Sequence, residues 1–466
     1  MMKKRNLFSL FAILIFAVTC IFFNISYKVF KNPKKVIQHD IYWYYEYLSA
    51  TFIQKDIGLH FLDTPKSREI VHNYWRYTLP NGNHIIKMSM GNAIMYSPAF
   101  FAAHALAKPL GFERTGYNQP YTVALVIISL LYVMLGFMIL RKLLLCYFSD
   151  IITALSILIV GITTNLLYYT TLEAAMTHAF TFFLFACFIY LTKLWFETPK
   201  WKYSIQLGVV FGLISLIRPT NALIVIVFLL FGIKHFRDFN RQILLFYHNY
   251  KKIIIIILFS FIVWLPQLIY WKTISGSWLF WSYIDNESFY FNNPYYFQFL
   301  LGFRKGWLIY TPVMIFSIIG LYFVRKNYGD YFFSILVFLV IIVYILSSWW
   351  CWWFGGSFGM RSLVECYALL IIPLAAFLQA MSKFKLYLKI PTIVLIVLLA
   401  SLSFFNFIKF HYGSIHYDSM TKKAYFNHFF SVKSKGDYFR LLEKPDYEKA
   451  RRGNDDVIED YYIQFY

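Results

Sequence analysis

The sequence predicts an all-α polytopic membrane protein: a bundle of about eleven transmembrane helices with a large first extracytoplasmic loop that contains juxtamembrane helices. Three observations predict it. Of the 466 residues, 59% are hydrophobic and 14% charged, with a mean hydropathy of +0.54, too apolar for a chain bathed only in water. Apolar runs long enough to cross about 30 Å of hydrocarbon recur along the chain. The short loops between them collect Lys and Arg, so the net charge of +21 is read as the positive-inside bias and attraction to anionic headgroups. Membrane lipids are the expected surroundings, and no nucleic acid partner is expected.

The first apolar run follows Met-Met-Lys-Lys-Arg, and no small-residue cleavage site separates it from the Lys-rich stretch 28–35, so residues 1–29 are read as a retained anchor helix. Residues 30–119 form the first extracytoplasmic loop, too long to lack structure of its own. Within it, 41–53 carries aromatics at mixed helical spacing and is expected to lie at the interface, and 96–110 is expected to be a juxtamembrane helix. A membrane module over 120–272 has spans near 121–140, 151–169, 177–196 and 253–270, and the apolar stretch 203–233 is broken at Arg218-Pro219 into two short spans. A second extracytoplasmic loop covers 273–306. The C-terminal membrane helices fill 307–410, near 307–324, 332–348, 363–380 and 391–410, and 411–466 is an extracytoplasmic tail. Five Cys are scattered in or beside apolar runs with no CxxC pair, and are read as small hydrophobes.

Orientation follows from the basic loops. With the N-terminus cytoplasmic, Arg141 and Lys142, the 193–202 and 234–252 loops, Arg325 and Lys326, and the 383–389 loop all fall inside. The long loops and the tail then face the periplasm or cell exterior of a bacterial inner membrane.

Ionisable groups near these outer ends are the candidates for chemistry, because charge in or beside hydrocarbon is expensive. Asp40 follows the first span in His39-Asp40-Ile41-Tyr42-Trp43-Tyr44-Tyr45-Glu46, where it is either a general base or a helix N-cap. Glu173 and His178 flank a turn in Thr170-Thr171-Leu172-Glu173-Ala174-Ala175-Met176-Thr177-His178, as chemistry or as polar contacts between helices. Arg218 precedes the helix-breaking proline, and Lys87 stands at headgroup depth before the 96–110 helix. Arg361 and Glu365, after Gly355-Gly356-Ser357-Phe358-Gly359, are four residues apart and could pair along one helix face. Asp285-Asn286-Glu287 has the spacing of an acidic metal motif but lies outside, where nucleotide sugars are scarce. His411, His416 and Asp418 lack a fourth ligand. No P-loop, GxGxxG, GxSxG or HExxH is present.

The acid after the first span, the large first loop, the 87–98 stretch, Met176-Thr177-His178, Gly212-Leu213-Ile214-Ser215-Leu216-Ile217-Arg218-Pro219-Thr220 and the 353–361 segment together resemble the GT-C superfamily of integral-membrane glycosyltransferases. The likeness is to bacterial members related to protein O-mannosyltransferases and aminoarabinose transferases. It implies transfer, with inversion, of a hexose or pentose from a polyprenyl-phosphate sugar donor to a lipid, glycan or protein acceptor. Asp40 would be the general base, Lys87 and Arg218 the donor-phosphate ligands, and Glu46, Glu173, His178, Arg304, Lys305, Arg361 and Glu365 candidate contacts to sugar or acceptor. No cofactor is required, and a divalent metal is neither demanded nor ruled out. Two departures stand out: Ile41, where the mannosyltransferase branch often has a second acid, and the missing Lys-Pro-Pro form. A transporter or flippase of polyprenyl-linked saccharides is the competing expectation, and it should show related repeats in its two halves, none of which is visible. A non-enzymatic scaffold would need neither Lys87 nor Arg218.

Overall fold

The computed structural model describes residues 6–31, 35–64, 77–283 and 287–453. Its long helices are α1 (Phe8–Ser26), α2 (His39–Ser49), α3 (Gly91–Ala107), α4 (Gln119–Leu144), α5 (Asp150–Thr163), α6 (Thr177–Glu197), α7 (Trp201–Ile217), α8 (Asp238–His248), α9 (Tyr250–Ser275), α10 (Ile315–Asn327), α11 (Phe332–Ser347), α12 (Tyr367–Met381) and α13 (Leu386–His411). Among the described residues there are no β-strands, only isolated bridges such as Phe289 with Trp349. Six helices are long and apolar enough to cross a membrane: α1, α4, α6, α9, the helical stretch Gly329–Ser347 that contains α11, and α13. Shorter apolar helices, including α5, α7 and α12, pack among them. The chain is an integral membrane protein of the all-α class.

Local chemistry explains several boundaries. The carboxylate of Asp150, at the start of α5, accepts the backbone N–H groups of Phe8 (2.8 Å) and Ser9 (3.2 Å), which satisfies two free donors at the start of α1. Gly208 and Gly212, four apart on α7, let the α9 backbone approach closely: a Cβ on Gly208 would lie 2.6 Å from the Ile256 carbonyl oxygen. Ser260 Oγ donates to the Gly208 carbonyl at 3.0 Å, and Trp264 Nε1 donates to Ser215 Oγ at 2.9 Å across the same seam.

Three expected elements take a different form. The 41–53 segment is not one uniform helix with a single buried face. It forms α2, one turn of π-helix follows over Ala50–Gln54, and every residue from Ile41 to Ser49 is buried. Its Tyr42, Trp43, Tyr44, Tyr45 and Tyr47 surround the axis and leave no polar face for water. The run 307–324 is not one continuous helix, because Thr311 and Pro312 interrupt it, leaving a short helix Trp307–Tyr310 before α10. The run 151–169 breaks at the extended Thr164, after which Leu166–Thr170 forms a separate turn. The break at Arg218-Pro219 is present: α7 ends at Ile217, Arg218 is extended, and a 3₁₀ segment starts at Pro219.

Segments assigned to the outer side pack together. Tyr290 N–H donates to the Ser348 carbonyl at 2.6 Å, and Trp350 N–H donates to the Ser288 carbonyl at 3.1 Å. The tail joins them, since Ser357 N–H donates to the Tyr417 carbonyl at 3.1 Å and the Tyr290 hydroxyl donates to the Arg451 carbonyl.

Candidate active site

Asp40 lies in the first turn of α2. The N-cap position belongs to Gln38, so Asp40 does not cap the helix. Its Oδ2 instead accepts from Arg361 Nη2 at 3.0 Å, with both side chains about four-fifths buried. Tyr44, one helical turn beyond Asp40, is buried on the same side and experiences the charges of Arg218, Asp40 and Arg361.

Arg361 owes its place to the Gly-rich turn. Phe354, Gly355 and Gly359 all have positive φ (55°, 65° and 57°), so the backbone reverses tightly. Asn165 Nδ2 then donates at 3.3 Å to the carbonyls of Phe358 and Met360, and the Tyr169 hydroxyl accepts from Phe358 N–H at 3.1 Å. Lys305 Nζ donates to the Ser357 and Tyr417 carbonyls, tying this turn to the tail, and burial pushes its pKa down to about 7.

The segment before α3 is clamped from two sides. Tyr47 Oη donates to the Met88 carbonyl at 2.8 Å, Ile86 N–H donates to Tyr270 Oη at 2.9 Å, and Met90 N–H donates to Gln267 Oε1 at 2.7 Å. Gly91 is needed where this segment meets α7, because a Cβ there would lie 2.5 Å from Ile217 N. Ser89 Oγ donates to the Leu216 carbonyl at the same crossing. The result holds the Lys87 segment against the end of α7, which Arg218 follows. Lys87 Nζ is 2.9 Å from Glu287 and 5.2 Å from the centre of the Tyr283 ring. Tyr283 in turn experiences the charges of Arg218, Asp40, Glu287 and Arg361, so these groups share one neighbourhood.

Arg218 is held from behind. Glu365, fully buried, accepts from Arg218 Nη1 at 3.3 Å, from Asn221 Nδ2 at 3.0 Å, and contacts His178 Nδ1 at 2.9 Å. Glu365 and Arg361 therefore do not pair with one another. Residues Arg361–Leu363 form a 3₁₀ turn and α12 begins only at Tyr367, so the four-residue helical register is absent. Nor does Glu173 bond to His178. It accepts from the Tyr168 hydroxyl at 3.1 Å, and burial raises its pKa while the nearby Arg361 opposes the rise.

The structure gathers Asp40, Lys87, Glu173, His178, Arg218, Lys305, Arg361 and Glu365 around one region, and it sets Glu46 apart. Glu46 lies six residues after Asp40, on a different face of α2, where Tyr117 Oη donates to its Oε2 at 2.5 Å and no surface is left for a sugar. Arg304 is buried with its guanidinium 5.0 Å from the Trp353 ring centre. Asp285 and Asn286 lie outside the described residues, and Glu287 serves Lys87. His411 stacks on Tyr27 at 3.6 Å whereas His416 pairs with Asp418 at 3.2 Å, so those three do not converge. Among the described residues no group of three or more His, Cys, Asp or Glu could hold a metal ion. Asn221, Tyr44 and Tyr283 carry no motif that marks them, and only Asn221, directly after Arg218-Pro219-Thr220, was within reach of one.

The chain folds as a broken-helix membrane bundle with its charged residues under a packed outer layer. By structure the chain is similar to the oligosaccharyltransferase of Archaeoglobus fulgidus in its apo form, with a TM-score of 0.50 at 12% identity over 86% of this chain and 56% of that one. It is also similar to the same organism's oligosaccharyltransferase AglB in complex with an inhibitory peptide and a dolichol-phosphate, with a TM-score of 0.46 at 12% identity over 85% and 55%. ArnT from Cupriavidus metallidurans in the apo state gives 0.46 at 12% identity over 81% and 59%. The chain thus spans little more than half the length of these proteins. No family model matches the sequence, and no curated protein matches it.

Proposed function

We propose that this protein is an inverting glycosyltransferase that moves a sugar from a polyprenyl-phosphate donor to an acceptor on the extracytoplasmic side of the membrane. The observation that carries the proposal is the Asp40 carboxylate, held by Arg361 through Oδ2, with Tyr283 in the field of Asp40 and Arg218 and 5.2 Å from the Lys87 ammonium.

In this reading Asp40 Oδ1 takes the proton from an acceptor hydroxyl or amine. The acceptor atom forms its bond to the anomeric carbon on the face opposite the phosphate. The bond from that carbon to the phosphate oxygen breaks and its electron pair leaves with the polyprenyl phosphate, inverting the centre. Lys87 and Arg218 stabilise the growing negative charge in a poorly hydrated site, so the leaving group needs no acid. Glu365, with His178 and Asn221, acts as a positioning group for Arg218. The Lys87–Glu287 ion pair must open for Lys87 to meet a phosphate.

The test is reconstitution of the purified protein in proteoliposomes with a panel of polyprenyl-phosphate hexoses and pentoses and extracted envelope acceptors. Release of free polyprenyl phosphate coupled to labelling of an acceptor supports the reading. Translocation of intact lipid-linked sugar without cleavage would instead favour a flippase.

A further inference from the structure

Far from Asp40 in the chain, α8 presents three distinct faces. One packs on the protein: the Phe246 ring stacks on Phe228 (5.6 Å between centroids) and lies 6.1 Å from Trp195, and Gln242 Nε2 donates to the Leu229 carbonyl at 3.2 Å. A second is apolar and uncovered. Phe239, Ile243 and Tyr247 recur every four residues and Leu244 flanks them, and the run is preceded by Phe236, with exposures of 90% at Phe236, 63% at Ile243 and 72% at Tyr247. The third is polar, with Arg241 and His248.

Two observations say what covers the apolar face. Only Asn249 separates α8 from α9, a 26-residue span, so α8 ends where a membrane crossing starts. Arg237, Arg241, Lys251 and Lys252 surround it, Lys234 being paired with Asp330 at 2.9 Å, whereas Asp238 is the one acid in 234–252, and its carboxylate is occupied by the backbone N–H groups of Lys234 and His235, each at 2.8 Å. We infer that α8 is a lipid-docking helix: it lies in the plane of the bilayer surface with Phe236, Phe239, Ile243 and Tyr247 in the acyl boundary, and its cations bind anionic lipid headgroups.

The test uses the full-length protein in nanodiscs. An environment-sensitive fluorophore is placed by Ile243→Cys in a Cys146→Ser background, since Cys146 is the exposed native thiol. Quenching by a shallow spin-labelled lipid is expected. It should be at least about twofold stronger in phosphatidylglycerol-containing discs than in phosphatidylcholine alone, and salt should weaken the difference. A combined Arg241→Gln, Lys251→Gln, Lys252→Gln variant should retain the quenching and lose the lipid preference. Absence of lipid quenching would overturn the inference, as would equal quenching in both lipids. Protection that instead depends on a second labelled copy would assign the face to self-association and overturn it as well.

Discussion

Arg361 and Asp40 stand 321 residues apart in the chain and meet at 3.0 Å, where α2 faces the Gly-rich turn before α12. The contact joins the segment after α1 to the C-terminal half and fixes one oxygen of the carboxylate. If orientation is its purpose, Arg361→Gln should lower kcat about 10- to 100-fold with little change in donor KM, because a misaimed base slows the step without loosening the donor. Both side chains are about four-fifths buried, so removing the guanidinium should also cost about 3 kcal/mol of stability. Steady-state kinetics beside a thermal melt in detergent separates the two effects.

Glu365 is different, being fully buried with three partners. Glu365→Gln replaces an acceptor of three groups by an amide that accepts at one atom and offers N–H where partners also donate. It leaves the Arg218 charge without its counterion, and a loss of about 3 kcal/mol is expected. Donor KM should rise as Arg218 loses its fixed position. A melt that is unchanged from wild type would show that Arg218 does not depend on Glu365.

Lys87 and Glu287 allow a test of opposite signs. Lys87→Ala should raise donor KM and lower kcat, because a phosphate ligand is lost. Glu287→Gln removes the carboxylate that competes with phosphate for Lys87, and donor KM should fall. If both substitutions raise KM alike, the ion pair is structural and Lys87 does not bind the donor phosphate.

Glu46 gives a pH signature unrelated to catalysis. Burial raises its pKa to about 8 against an ordinary 4.5, although the hydrogen bond from the Tyr117 hydroxyl pulls it back. The folded protein therefore holds this proton more tightly than the unfolded chain does. The stabilisation is complete below about 4.5 and is lost as pH rises through about 8. Thermal melts should show stability falling between those pH values, and Glu46→Gln should flatten that part of the profile.

The fold class was legible because hydrocarbon imposes length and apolarity on each span, and Arg218-Pro219 announced its helix break through the missing N–H of proline. The partners were less legible. Arg361 and Glu365 look like a helical pair in sequence, yet a 3₁₀ turn rotates them apart, one to Asp40 and the other to His178, Arg218 and Asn221. The burial of α2 could have been read from aromatics placed all round its axis, but Glu46 was separable from Asp40 only once the helix register was known. Tyr283 lies on an irregular segment, where no periodicity points to a site.

The central claim is that Asp40 is the base. The most direct measurement is single-turnover transfer by Asp40→Asn in proteoliposomes, with binding of the polyprenyl-phosphate sugar measured on the same preparation. Transfer should fall at least about 100-fold while donor affinity stays within about threefold of wild type. Transfer at the wild-type rate with normal donor binding would contradict the account.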